Sequence, residues 1–184
     1  MHAIPKVATH GFALVLEASV LARACRGERA AFEAIYCGYA RPAYGLALRL
    51  LGRPAAAEDV VHDAFLRAFE RIGSYRGEAP FGAWIKQLVL HAGIDRLRAE
   101  RRWAGDVEPV EQLCEAREDP SAWLDAEGLL ARLAPRARMV VWLHQAEGWS
   151  HVEIAARFRQ SESWSKSVLA RSLARLREDE EKQA

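Results

Sequence analysis

The chain reads as all-α: two small helical domains joined by an acidic, flexible linker. Three observations carry that reading. No stretch of the 184 residues sustains the period-two alternation, rich in β-branched side chains, that a strand requires. Apolar positions recur instead at intervals of three and four, the repeat of a helix face. Charge is also segregated. Trp103–Gly128 carries eight acidic residues against Arg117, a net of −7, whereas Leu129–Arg177 carries nine basic residues against three glutamates, a net of +6. A formal net charge of +1 hides this asymmetry, which points to a polyanionic partner, with ordinary solvated helix faces as the plainer explanation. At 51% hydrophobic residues the chain can build a core, which excludes wholesale disorder.

The elements follow in order. A first helix covers Glu17–Cys25 and ends at Gly27. A second runs from Glu28 to Tyr39 with Phe32, Ile35, Tyr36 and Tyr39 on one face. Pro42 suits the first turn of a third, which reaches Leu51 and stops at Gly52. Pro54 opens a fourth, whose packed face is Val60, Val61, Ala64, Phe65, Ala68, Phe69 and Ile72. Gly73–Pro80 is a loop by its glycines and proline. A long helix follows from Phe81 to about Arg102, apolar at Trp84, Ile85, Leu88, Val89, Ala92 and Leu97. Ala104–Ser121, with Gly105, Pro109 and Pro120, is the linker. Helices resume over Trp123–Leu133 and Pro135–Glu147. Ser150 and Glu153 have the S-x-x-E spacing of a capping box for a helix to Phe158. Ser161 caps the last helix, which runs to about Glu178. The expected domains are therefore 17–103 and 122–178, with an extension (1–16), the linker (104–121) and a charged tail (179–184).

Composition narrows the function. The three cysteines lack C-x-x-C spacing, which fits a reducing cytoplasm, and Cys25 and Cys37 read as small core residues. The apolar run Phe12–Leu16 is too short to span a bilayer, so neither membrane insertion nor export is expected. No nucleotide-binding, hydrolase or zinc-protease motif occurs, and the six histidines are scattered. We therefore expect no enzyme, no cofactor and no resident metal.

The C-terminal unit carries the clearest pattern. Helix Ser150–Phe158, a three-residue turn and helix Ser161–Arg177 have the proportions of a helix-turn-helix, whose second helix lies in the major groove. Trp164, Val168, Leu169, Leu173 and Leu176 would hold that helix to its domain. Ser163, Lys166, Ser167 and Arg171 fall on the opposite side, with Arg175 one turn on; such side chains bind phosphates and base edges. Helix pairs with a basic face also occur in plain bundles. The blocks Leu133–Val140 (LAPRARMV), Gly148–Ala155 (GWSHVEIA) and Ser165–Leu169 (SKSVL) resemble region 4 of the extracytoplasmic-function sigma factors of bacterial RNA polymerase. That family typically shows L-P-x-x-x-R-x-V, G-x-S-x-x-E-I-A and a T-V-K-S-R-L-like helix. Departures are Arg159-Gln160 where glycine is usual, Trp164-Ser165 for threonine-valine, and Val168 for arginine. The resemblance implies that this helix reads the upstream (−35) promoter element.

In the N-terminal domain Glu58, Asp59, His62 and Asp63 share one surface at helical spacing. A divalent-metal site is one reading, and an acidic helix N-terminus favoured by the macrodipole is the other. Ala57–Phe69 also resembles sigma region 2.2, A-E-D-V-V-Q-E-A-F-x-R-A-W, with His62, Asp63 and Phe69 as mild departures. The resemblance implies that Glu58, Asp59, His62, Asp63 and Leu66 dock core polymerase. Ser74–Ile85 (SYRGEAPFGAWI) resembles the F-R-G-E-A-P-F-x-x-W-L signature of regions 2.3 and 2.4, which open the downstream (−10) element. Opening needs aromatic faces to hold a flipped base and cations to hold the strand. Tyr75, Arg76, Trp84, Lys86, Gln87, His91, Arg96, Arg98, Arg101 and Arg102 are available for that, although Trp84 and Phe81 by themselves would more often be core. Leu90 and His91 stand where the family tends to have arginine and asparagine.

The resemblance covers about 30–102 and 129–177. It implies a promoter-specificity subunit, monomeric in holoenzyme, with core RNA polymerase, promoter DNA and a cognate anti-sigma factor as partners. The acidic linker would imitate RNA in the polymerase cleft, or serve only as a solvated tether. Two other readings stay open: a sigma mimic that binds an anti-sigma factor without initiating transcription, and a one-component helix-turn-helix regulator.

Overall fold

The computed structural model describes residues 11–103 and 126–181. The linker at 104–121 and the start of the helix expected from Trp123 lie outside the described residues. Eight α-helices occur among those described: α1 (Ala18–Cys25), α2 (Arg29–Leu51), α3 (Pro54–Arg71), α4 (Phe81–Trp103), α5 (Ala126–Ala131), α6 (Pro135–Gln145), α7 (His151–Phe158) and α8 (Glu162–Glu181), with a 3₁₀ turn at Ile72–Ser74. No strand occurs among the described residues. The described residues fall into two compact units, one from 11–48 and Pro54–Ala92, the other from Arg49–Arg53, 93–103 and 126–181.

One expected break is absent. Pro42 does not open a third helix but sits inside the 23-residue α2. An interior proline forfeits a backbone hydrogen bond and costs about 3 kcal/mol. The buried stripe Ile35, Tyr39, Ala43, Leu46 and Leu50 runs straight past it at intervals of three and four. Burying a leucine contributes roughly 1.5–3 kcal/mol, so Leu46 and Leu50 alone offset the proline. Tertiary burial decides here, and the helix runs on.

In the first unit α2 and α3 join through aromatic rings. Phe32 and Phe69 lie 4.6 Å apart by centroid, and Tyr36 and Phe65 4.9 Å apart. Val60, Val61, Ala64, Phe65, Ala68 and Ile72 are buried as the α3 pattern requires. The cysteines correct the sequence reading, for Cys25 and Cys37 are both exposed. Cys37 lies two residues beyond buried Ile35, about 200° around the helix and so on the outer face. Cys25 is the last residue of α1, and its thiol faces the Ile72 carbonyl at 3.8 Å. The segment before α1 lies on this unit: the Tyr39 hydroxyl donates to the Leu14 carbonyl, and the Phe12 carbonyl rests on Gly82. A Cβ at Gly82 would come within 1.8 Å of that oxygen, so only glycine fits.

In the second unit the core is Leu133, Met139, Val140, Leu143, Ile154, Phe158, Val168 and Leu169. Arg138, 3% exposed, donates to the carbonyls of Arg49, Ala131 and Leu133, each at 2.9 Å. A buried guanidinium persists only where acceptors replace its water, and the carbonyls at helix ends supply them along with a favourable dipole.

Candidate nucleic-acid interfaces

The loop after the 3₁₀ turn builds the first candidate site. Gly77 takes φ +75, which reverses the chain, and the Tyr75 hydroxyl donates to the Ala79 carbonyl at 2.6 Å, closing the loop on itself. Its ring meets Phe81 edge-on at 5.1 Å and Trp84 at 5.6 Å, and Phe81 and Trp84 are 5.3 Å apart. Fully buried Tyr39 backs this cluster, 5.8 Å from Phe81. Burial, and secondarily Tyr75, pushes the Tyr39 phenol above its ordinary value, so it stays neutral. Phe81 is core, while Tyr75 and Trp84 are half-buried with surface still open.

Beside them is a recess of about 430 Å³, lined by Tyr75, Arg76, Trp84 and Gln87 together with Ser74, Glu78, Ala79 and Ala83. Four of the ten residues expected at the −10 element thus meet in one place. Lys86, His91, Arg96, Arg98, Arg101 and Arg102 do not line it. Arg96 pairs with Glu100 at 2.9 Å, further along α4. Sequence reasoning passed over Ser74, Glu78 and Ala83; the loop return that brings them in has no residue pattern beyond Gly77. Arg76 is 83% exposed and 4.0 Å from Glu78, too loose a pair to hold it from a phosphate. Leu90 is fully buried, so leucine at that position serves packing and offers nothing to DNA.

The acidic face of α3 is a second surface. Glu58, Asp59, His62, Asp63 and Leu66 are all exposed, opposite the buried stripe. Leu66 is 47% exposed, an apolar spot beside four polar groups. The acids are not at the helix N-terminus: α3 starts at Pro54, and its first turn has no acidic residue. The macrodipole acts within the first turn, so it does not account for the cluster. No group of three His, Cys, Asp or Glu placed to hold a metal ion occurs among the described residues.

The helix-turn-helix is the third. Ser150 accepts from the Glu153 N–H while the Glu153 carboxylate accepts from the Ser150 N–H, the reciprocal capping box the spacing predicts. The Ser150 hydroxyl, which also donates to the Glu153 carboxylate at 2.7 Å, and after it the Ser150 N–H hold that carboxyl below its ordinary value. At the other end of α7 the N–H groups of Gln160 and Arg159 bond to Ala155 and Ala156, and Arg159 takes the left-handed conformation (φ 54, ψ 50). Glycine normally fills that position in this cap. Ser161 caps α8 by accepting from the Trp164 N–H at 3.1 Å. The Arg136 guanidinium lies 4.4 Å over the Trp164 ring and fixes the start of α8 to α6.

On α8 the side chains of Ser163, Lys166, Ser167 and Arg171 are exposed, and Arg175 is half-buried. Val168 and Leu169 point inward as expected. Ser165 and Ser172 are also buried, at 0% and 2% exposure. Sequence polarity does not reveal this: Ser165 finds its partner across the motif in His151 Nδ1 of α7 at 3.0 Å, while Ser172 satisfies itself locally by donating to the Val168 carbonyl at 2.7 Å. Lys166 is paired to Glu162 at 2.7 Å, and that contact holds the Glu162 carboxyl below its ordinary value.

Comparison with known proteins agrees with this layout. Residues 35–103 match Sigma-70 region 2 and residues 124–176 match Sigma-70 region 4. The chain is 30% identical over 162 residues to the ECF RNA polymerase sigma factor SigM of Mycobacterium tuberculosis (strain H37Rv), covering 87% of this chain and 82% of that one. It is 32% identical over 138 residues to the RNA polymerase sigma-E factor of Streptomyces avermitilis, 72% of this chain and 75% of the relative. It is similar also to the structure of the sigma factor RpoE in complex with the anti-sigma factor NepR from Bartonella quintana, at 22% identity and a TM-score of 0.48, covering 80% of this chain and 94% of that one. With both sigma regions present in order and SigM matched along most of its length, the chain belongs to the extracytoplasmic-function (ECF) sigma factors.

Proposed function

We propose that this sigma factor divides promoter recognition between its two DNA-facing surfaces. The exposed side of α8 reads the −35 duplex. The recess between the 75–80 loop and α4 takes a base flipped from the −10 element. The acidic face of α3 docks core polymerase, and a cognate anti-sigma protein would act by covering one of these surfaces. The chain works in the cytoplasm by binding alone and performs no covalent chemistry.

The observation that carries this reading is the recess. Unstacking a base costs a few kcal/mol and must be offset by stacking and contacts to its edge. Tyr75 and Trp84 supply aromatic surface, Gln87 supplies hydrogen bonds to a base edge, and exposed Arg76 supplies charge for the strand. All four line one cavity.

Run-off transcription with purified core polymerase separates initiation from the mimic reading, which expects no transcript. Tyr75→Ala with Arg76→Ala should then reduce open-complex formation, read by permanganate on −10 thymines, and leave core binding intact. A premelted bubble template should restore transcription. Tyr75→Phe keeps the ring and removes the bond to Ala79, so it reports loop closure by itself. Equal failure of the double variant on duplex and bubble would assign the loop to folding or docking.

A further inference from the structure

The outward side of α8 carries a pair of opposite charge at its first two turns. Glu162 and Lys166 meet at 2.7 Å, four residues apart, with side chains 48% and 60% exposed. The turns that bear them are fixed from behind. Ser161 caps the helix through the Trp164 N–H, Trp164 packs on Phe158 at 5.3 Å, and Ser165 is fully buried. Both charged groups therefore stand on a rigid base, on the side that exposes Ser163, Ser167 and Arg171.

A carboxylate in the first turn and a lysine four residues on would support a helix in any setting. That explanation makes no use of where the pair points. Beside a duplex a carboxylate repels phosphates, which costs affinity unless a base edge supplies it with a donor. The bond from Lys166 holds the Glu162 carboxyl below its ordinary value, and an ionised carboxylate only accepts. The ammonium of Lys166 only donates. The major groove offers the matching arrangement. In a cytosine–guanine pair the cytosine N4 amino group lies beside guanine O6, about 2.9 Å away across their own hydrogen bond. An acceptor and a donor 2.7 Å apart can meet that amino group and that carbonyl together.

On the reading of α8 as the helix that faces the −35 duplex, we propose that Glu162 and Lys166 jointly select one cytosine–guanine pair. Glu162 accepts from cytosine N4, and Lys166 donates to guanine O6 and N7. Turning the base pair over sets guanine O6 against the carboxylate and the cytosine amino group against the ammonium, so the reversed pair is refused on both sides. An adenine–thymine pair offers the same order of amino group and carbonyl. Thymine lacks N7 and carries a methyl group beside O4, so that pair ranks second.

The test selects duplexes from a pool with a randomised −35 segment, using the full chain bound to core polymerase, and reads the enriched sequences. The wild type should enrich cytosine over guanine at one position by about fivefold or more. Glu162→Gln presents an amide that can turn either way, so the preference there should fall to about twofold while neighbouring positions keep theirs. Glu162→Lys combined with Lys166→Glu keeps the net charge and exchanges donor with acceptor, so the same position should turn to guanine. Thermal midpoints report whether each variant is folded, and Glu162→Gln decides alone if the exchanged pair unfolds. Unchanged preferences in both variants, or a loss spread evenly over all positions, would reduce the pair to helix support and overturn the proposal, while α8 keeps its −35 role. No enrichment by the wild type would overturn that role as well.

Discussion

The imidazoles of His144 and His151 stack face to face, centroids 4.4 Å apart and planes 20° from parallel. His144 Nδ1 donates to the Trp149 carbonyl at 2.8 Å, and His151 Nδ1 bonds the buried Ser165 hydroxyl at 3.0 Å. One ring pair therefore links the end of α6, the start of α7 and the interior of α8. Burial, then His144 and Lys166, hold His151 below its ordinary imidazole value, against an opposite pull from Glu162.

The fold therefore favours the neutral His151 ring, and the unfolded chain takes the proton first as pH falls. The stability this contributes is complete above the ordinary value of 6.5 and is lost as pH drops from there through the lower folded value. Thermal midpoints between pH 7.5 and pH 5 should decline, with the slope flattened in His151→Gln. Glu100, Glu153 and Glu162, held low, lose their contribution only as pH falls below their ordinary 4.5. The two losses therefore begin at different pH, 6.5 for the histidine and 4.5 for the glutamates, and an unchanged slope in His151→Gln would exclude the ring pair as the cause.

On α8 the partner of Lys166 matters as much as the lysine. Glu162→Gln releases the lysine and removes a negative charge facing DNA, so duplex affinity should rise about two- to fivefold, most at low salt. Arg171→Ala should cost about 1–3 kcal/mol on the preferred −35 sequence if it reads a base, and less, uniformly, if it holds a phosphate. Gel-shift titrations on matched and scrambled duplexes decide between them.

The two caps of α7 should respond in opposite directions. Ser150→Ala removes the reciprocal cap and should destabilise the domain by about 1 kcal/mol. Arg159→Gly relieves roughly 1–2 kcal/mol of left-handed strain against about 0.5–1 kcal/mol of added unfolded-state entropy, a small net gain. Denaturant midpoints measure both, and a loss of stability in Arg159→Gly would mean the side chain contributes more than its backbone costs.

Charge reversal at Asp63, on the exposed face of α3, should lower core-polymerase affinity by about tenfold or more and leave helical content unchanged. Full retention of binding in competition with another sigma subunit would remove this face from the docking surface.

Much of this molecule can be read along the chain because its signals are local. The Ser150–Glu153 box, the Ser161 cap and the stripe Val60–Ile72 are dictated by neighbours three or four residues away, and each stands in the structure. What escapes is set by distant parts. Pro42 is a helix breaker by propensity, overruled by burial on both sides of it. Cys37 is apolar but lies on the outer face of α2, and Ser165 is polar but lies inside, because His151 from another helix gives it a partner. Tyr75 and Trp84 can be picked from the motif, whereas Ser74, Glu78 and Ala83 join them only through the loop's return.

The contact of Phe12 with Gly82 bears on how this protein can be trimmed. A chain cut at Glu17, where the first helical pattern begins, would keep every motif and still lose the acceptor of the Tyr39 hydroxyl. That phenol, fully enclosed, would then have to draw in water or turn away, directly behind Phe81. The few residues ahead of α1 thus act as a chock behind the aromatic cluster, and shortened versions would report on a loosened base pocket while appearing correctly folded.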